Sequence, residues 1–159
     1  MNAGEPTRTS GAELLARLDR EPFIVTASYA YIRGTELDVE TGRRRELSLV
    51  PRHAVGVVGA IEDHERGRIG VELYYTGRQA LHDDPYRSRS EPYLIVGALA
   101  ERRIGRARAF INLENIGDTR QTRTDPLVRP ARGLGGRWTT DAWTELAGRT
   151  INGGIRVEF

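Results

Sequence analysis

The chain has 159 residues, with 24 Lys+Arg against 22 Asp+Glu and a formal net charge of +2, a balance that builds no nucleic-acid footprint. It contains no Cys, which excludes a disulfide framework, a cysteine zinc site and a thiol nucleophile. Its longest uncharged stretches reach only about ten residues where a membrane helix needs about 20, so helical spanning is excluded; a membrane β-barrel, whose strands alternate apolar and polar, is not.

Met1 to Ser10 carries neither a basic nor an apolar region of the signal-peptide kind, so none is expected in this chain. From there a period of two dominates. Ala12, Leu14, Ala16 and Leu18 share one face against Glu13 and Arg17; after a short polar turn at Asp19 to Pro22, the residues Phe23, Val25, Ala27, Tyr29 and Tyr31 do the same against Thr26 and Ser28. Gly34 to Arg52 is a long polar connection, and Arg43-Arg44-Arg45 within it, flanked by Glu40 and Glu46, reads as a solvated loop tip. His53 to Ile61 is apolar on both faces and rich in β-branched residues, which favours a strand; His53 and His64 at its two ends are expected to be exposed or interfacial.

A turn at Glu62 to Gly67 leads to the cleanest alternation. Ile69, Val71, Leu73 and Tyr75 oppose Arg68, Gly70, Glu72 and Thr76, with Tyr74 the exception. Gly77 to Glu91 is a second long connection, in which His82-Asp83-Asp84 offers three metal-binding groups in a row; sequence neighbours rarely converge on one ion, and no metal or other cofactor is expected. Tyr93 to Ala100 is a further apolar strand, Glu101 to Arg106 a turn, and Ala109, Ile111 and Leu113 alternate with Arg108, Asn112 and Glu114. Gly117 to Gly148 is the longest connection and holds Trp138 and Trp143, weak candidates to stack on a ligand or to pin the loop to a rim. Ile151, Gly153, Ile155, Val157 and Phe159 then alternate with Asn152, Gly154, Arg156 and Glu158. Asn152-Gly153 alone would suit a hairpin turn, but the unbroken alternation around it reads as strand.

Seven strands result, and the lengths of their connections alternate short and long. In an up-and-down meander this puts every short turn at one end and every long loop at the other, the asymmetry of outer-membrane barrels. Gly67 to Gly77 and Arg149 to Phe159 each hold eleven residues, the length of a tilted membrane strand. Phe23 and Phe159 fall at the short-turn boundary and Tyr31, Tyr75 and Tyr93 at the other, as two aromatic belts would. The expected fold is therefore all-β: an antiparallel up-and-down meander of about seven strands, an incomplete transmembrane β-barrel. A soluble β-sandwich binding module is the alternative, because alternation alone does not say which face meets water.

Four stretches resemble a known family. Phe110-Ile111-Asn112-Leu113-Glu114-Asn115-Ile116-Gly117-Asp118, followed by Arg120-Gln121-Thr122-Arg123-Thr124-Asp125-Pro126-Leu127, is similar to the penultimate strand and last external loop of TonB-dependent outer-membrane receptors. Gly136-Arg137-Trp138-Thr139-Thr140-Asp141-Ala142-Trp143 and the ending from Gly148 to Phe159 resemble the same family's C-terminus. The resemblance implies that residues 1–159 are the C-terminal section of such a barrel, without the plug, the coupling box and the earlier of about 22 strands. It implies a place in the cell outer membrane and uptake of a scarce ligand such as a siderophore. The implied partners are outer-membrane lipid, the TonB energy-coupling complex through the absent N-terminal part, and the barrel assembly machinery, which reads a terminal Phe preceded by alternate apolar residues. Ile151, Ile155, Val157 and Phe159 match that signal, and Gly153 is its weak position.

No enzyme chemistry is expected. No Gly-x-Ser-x-Gly elbow, phosphate loop or dinucleotide fingerprint occurs. The charged residues Glu13, Arg17, Arg68, Glu72, Arg108, Glu114, Arg156 and Glu158 all take the polar face, where a ladder of cross-strand pairs that fixes register is a simpler reading than a permeation path.

Overall fold

A computed structural model describes residues 6–82, 84–129, 131–132 and 135–157. The expected strands form, as β1 (Arg8–Arg20), β2 (Phe23–Leu37), β4 (His53–Asp63), β5 (Gly67–Thr76), β6 (Tyr93–Ile104), β7 (Ala107–Glu114) and β8 (Thr150–Val157). Each pairs antiparallel with the next in the order β1-β2-β4-β5-β6-β7-β8. The sheet has eight strands because a short β3 (Arg44–Glu46) folds back on the far end of β2.

Parity fixes the two faces. One row runs through seven strands, Leu18 opposite Val25, then Gly59, Val71, Ala98, Leu113 and Ile151. Directly opposed residues in an antiparallel ladder project to the same side, so this row and those two residues away make a continuous apolar face. Among the described residues the face has no second layer: Leu14 is 67% exposed, Ile69 64% and Ile155 73%. Among the described residues the buried hydrophobic side chains are Ala80, Leu81 and Trp143, and all three lie in connections rather than in the sheet. The soluble-sandwich alternative required a second sheet over this face, and the described residues form a single one.

The short turns lie at one end. β1 and β2 meet at Glu21-Pro22, and β6 and β7 at Gly105-Arg106, where Gly105 has φ +62°, a conformation cheap for glycine and suited to a two-residue hairpin. Between β4 and β5 the Asp63 side chain accepts the backbone N–H groups of Glu65 and Arg66, both at 3.0 Å, an aspartate turn. The long connections 38–52, 77–92 and 115–149 lie at the other end. Asn152 and Gly153 sit mid-strand, opposite Asn112 and Ile111.

Two strands exceed their expected length. β1 begins at Arg8 and β2 runs on to Leu37, and β2 continues into what read as loop. Arg44 and Arg45, expected at a solvated tip, form β3: Arg44 donates to Thr35 Oγ1 and O, and Arg45 pairs with Glu36 at 2.9 Å. The segment is polar on both sides, so backbone pairing rather than burial holds it.

β1 and β8, at the two edges, run in the same direction, because an odd number of steps in an antiparallel series would reverse them and here there are six. The sheet is open, not a closed barrel.

Candidate functional site

The three long connections pack on one another, and the connection 77–92 is the centre of that layer. Toward β3, the Ala80 carbonyl accepts Leu49 N–H at 3.0 Å and the Ser48 hydroxyl at 3.3 Å, and His82 Nε2 donates to the Glu46 carbonyl at 2.7 Å. Glu46 also carries Arg89 at 2.6 Å and Arg52 at 2.7 Å. Burial alone would raise its carboxyl, but the two guanidiniums outweigh that and hold it below the ordinary value.

Toward the last connection the contacts are buried. Gln79 Nε2 donates to the Trp143 carbonyl at 2.9 Å, and Gln79 and Ser90 exchange Gln79 N–H to Ser90 Oγ at 3.0 Å and Ser90 N–H to Gln79 O at 2.9 Å. Gln121, fully buried, uses every group it has: its N–H donates to Glu145 O, its Nε2 to Asp141 O, and its Oε1 accepts Trp143 N–H, all at 2.9 Å. The amide supplies both the donor and the acceptor this needs, which an ionised carboxylate of the same length would not. The Trp143 indole N–H reaches Asp125 Oδ2 at 3.3 Å, and Asp125 Oδ1 holds Arg87 at 2.9 Å. Arg87 lies over the Trp143 ring at 6.0 Å and Tyr93 packs beside it at 6.2 Å.

The turn after β7 sets the direction of the last connection. Asn115 and Asp118 have φ +49° and +54°, a region that Asn and Asp tolerate better than other residues. Asn115 clamps Thr119 at both ends, accepting its N–H at 2.9 Å and donating to its carbonyl at 2.7 Å. Asp118 gathers three arginines: Oδ1 accepts the Arg149 backbone N–H at 3.1 Å, and Oδ2 accepts Arg120 at 3.2 Å and Arg123. The Arg149 N–H is the largest influence on its carboxyl and, with the three guanidiniums, holds it below the usual aspartate range against the opposing effect of burial.

The two tryptophans thus part company. Trp143 is 4% exposed and pins the loop; Trp138 is 47% exposed beside an antiparallel bridge between Val128 and Thr139, where Thr140 N–H bonds Leu127 O at 3.1 Å and Arg132 lies 5.4 Å over its ring. Tyr31 and Tyr75 lie on the apolar face at the long-loop end and Phe23 on the same face at the short-turn end. Tyr93 departs from them: it pairs with Thr76, on the opposite face from Tyr75, and faces Trp143. β6 is apolar on both sides, so its hydropathy pattern hides this parity. Ile151, Ile155 and Val157 are exposed on the apolar face of β8, and Phe159 lies outside the described residues. His53 pairs with Tyr31, and its Nδ1 lies 2.9 Å from the Tyr29 hydroxyl. Asp84 accepts the N–H groups of Tyr86 and Arg87, and Asp83 lies outside the described residues. On the polar face Glu101 takes Arg108 at 3.1 Å and Arg68 at 3.8 Å.

Gln79, Ser90, Gln121 and Asp125 have no periodic signature, and their partners are distant in sequence. The run Asn115-Ile116-Gly117-Asp118 is the one cue available, a turn-forming cluster directly after a strand.

No protein-family profile and no characterised sequence relative matches this chain. Among solved structures it is similar to the closed form of the ferric-catecholate import receptor Fiu of E. coli K12, with a TM-score of 0.65 and 18% identity. That likeness shows the fold. It covers 94% of this chain and 21% of the receptor, so the chain spans about a fifth of that protein's length.

Proposed function

We propose that this chain is the C-terminal section of a TonB-dependent receptor barrel, placed in the outer membrane with its apolar face on lipid and its long connections outside. One observation carries the reading: among the described residues the sheet exposes a continuous apolar face with no second layer, while the buried residues gather in the loop layer at one end. Water penalises such a face at about 25 cal/mol per Å2, and hydrocarbon does not. Phe23 and Tyr31 bracket it, eight residues or roughly 26 Å apart along a strand, which at a 40° tilt gives about 20 Å across the membrane, near the height of a barrel's apolar band. The likeness to a section of an import receptor supports the same assignment.

In this reading the chain does no covalent chemistry. Its strands close the parent barrel with neighbours that β1 and β8 lack here, and its fastened loops form part of the mouth that captures a scarce ligand such as a siderophore. TonB would act through the N-terminal part of the parent, and the assembly machinery through β8 and the terminal residues. The test is partition. Refolded in the presence of lipid vesicles, the full chain should float with them and show β structure, and in plain buffer it should aggregate. A monodisperse monomer with cooperative unfolding in buffer, indifferent to vesicles, would overturn the proposal.

A further inference from the structure

The outer part of the β1–β2 pair carries a second pattern on the same side as the apolar face. Arg8 stands opposite Thr35 and Ser10 opposite Arg33, and the next pair on that side, toward the short turns, is Ala12 with Tyr31. Opposed residues project together and alternate positions share a side, so these four make a two-by-two square with guanidiniums on one diagonal and hydroxyls on the other. Every member is a hydrogen-bond donor; Thr35 Oγ1 accepts Arg44 at 3.2 Å and keeps its own hydrogen to give. Arg8 and Arg33 are exposed, and neither meets an ion-pair partner among the described residues. Two like charges on a diagonal repel unless an anion lies between them. The only carboxylate on this side of β1, β2 and β3 is Glu46, opposite Thr35, and Arg52 and Arg89 already hold it at 2.7 and 2.6 Å.

Height decides what the square meets. Arg33 lies two residues beyond Tyr31, roughly 7 Å along the strand and, at a 40° tilt, about 5 Å along the membrane normal, where hydrocarbon gives way to headgroups. We propose that Arg8, Ser10, Arg33 and Thr35 bind the phosphate of an anionic lipid headgroup in the leaflet on the long-loop side. The inference rests on the membrane reading and adds to it one class of lipid at one place. Guanidinium forks match phosphate in a two-point geometry, and the two hydroxyls supply donors to its remaining oxygens. The acyl chains of such a lipid then lie along the apolar face below. At the short-turn end the same side of these two strands offers one cation, Arg20 opposite Phe23, so the two ends are not equivalent.

Because the chain has no Cys, a single dye can be placed by Ala12→Cys, directly below the square, or by Leu94→Cys, on the row of Tyr29, Val55 and Tyr75 and well away from it. Each full-length variant is refolded into phosphatidylcholine vesicles carrying a spin-labelled quencher lipid, either phosphatidic acid or phosphatidylcholine, with the label at the same acyl carbon near the headgroup. An arginine near an anionic lipid surface is worth about fivefold in association. At position 12 the quencher concentration that halves emission should therefore be at least about fivefold lower for phosphatidic acid than for phosphatidylcholine, and at position 94 the two should agree within about twofold. Arg8→Gln together with Arg33→Gln should bring position 12 to the ratio seen at position 94. If that double variant no longer inserts, Arg33→Gln alone replaces it and should remove about fivefold of the preference. Equal ratios at the two positions, or a ratio at position 12 unchanged in the variants, would overturn the inference while quenching by both lipids upholds the membrane reading. Dyes that neither lipid quenches at either position would overturn both.

Discussion

Gln121→Ala tests whether the last connection is fastened or merely folded over. The substitution leaves the Trp143 N–H, inside a residue 4% exposed, without its acceptor, and the Asp141 carbonyl without its donor. A buried unpaired backbone group costs about 1–3 kcal/mol. The carbonyl belongs to a half-buried residue that can turn toward water, so the sum is about 2–4 kcal/mol against the docked loop. At about 1.4 kcal/mol per factor of ten, the protection of the Trp143 amide against hydrogen exchange should fall by roughly 30-fold to several-hundred-fold. Amides in β4 and β5 should be untouched. Gln121→Glu sharpens the test, because the carboxylate still accepts from Trp143 but has nothing to donate to Asp141. Fully buried, and bonded at this position to backbone groups of Trp143 and Asp141, the carboxyl has its pKa raised above its free value in the docked state. Docking should then be poorest at neutral pH and recover as pH falls through that raised value. Trp143 protection within threefold of the parent in Gln121→Ala would refute the fastened-loop account.

Three further outcomes are expected. Leu73→Arg, on the apolar face, should cost about 2–4 kcal/mol of folding in lipid, as cations do at mid-membrane, and Glu72→Arg, one step away on the polar face, roughly 0.2–1 kcal/mol from lost local pairing; titrating refolded chain with urea in vesicles measures both, and equal losses would contradict the assigned faces. Because the Asp118 carboxyl is held below its ordinary value of 3.8, its contribution to the loop layer is complete above that pH and is lost as pH falls below it, so Trp143 emission should stay constant from pH 7 to about 5 and change on further acidification; a change already complete at pH 5 would contradict this. Trp143→Phe keeps the ring and removes the indole N–H from Asp125, and should loosen Arg87 with it, read as faster proteolysis in the segment 84–92; an unchanged cleavage rate would show that the ring alone pins the loop.

The strands were legible where apolar and polar residues alternate strictly. β5 follows its expected faces residue by residue, because Ile69, Val71, Leu73 and Tyr75 leave no second assignment with so few exposed alternatives. The pattern failed in two places, each for a physical reason. β3 is polar on both sides and the last residues of β2, Gly34 to Leu37, hold a single large apolar side chain, so hydropathy does not separate them from loop. β6 is apolar on both sides, with Ile95 and Leu99 facing opposite to Leu94 and Val96, and the parity that places Tyr93 is set only by pairing with β5. The site was hidden for a third reason. Gln79 and Gln121 read as ordinary loop polars, and what makes them structural is a match of donors and acceptors across segments far apart in the chain, which no local pattern encodes.

The central claim is that one face of this sheet meets lipid. Because the chain has no Cys, single cysteines at positions 69 to 75 can each be spin-labelled without background, one variant at a time, in the chain refolded into vesicles. Collision with oxygen, which concentrates in hydrocarbon, and with a water-soluble nickel chelate then reports the surroundings of each label. The account predicts a period of two, with labels at 69, 71, 73 and 75 favouring oxygen and those at 70, 72 and 74 favouring nickel or shielded from both. Nickel accessibility that is uniform along the strand, or highest at 71 and 73, would contradict it.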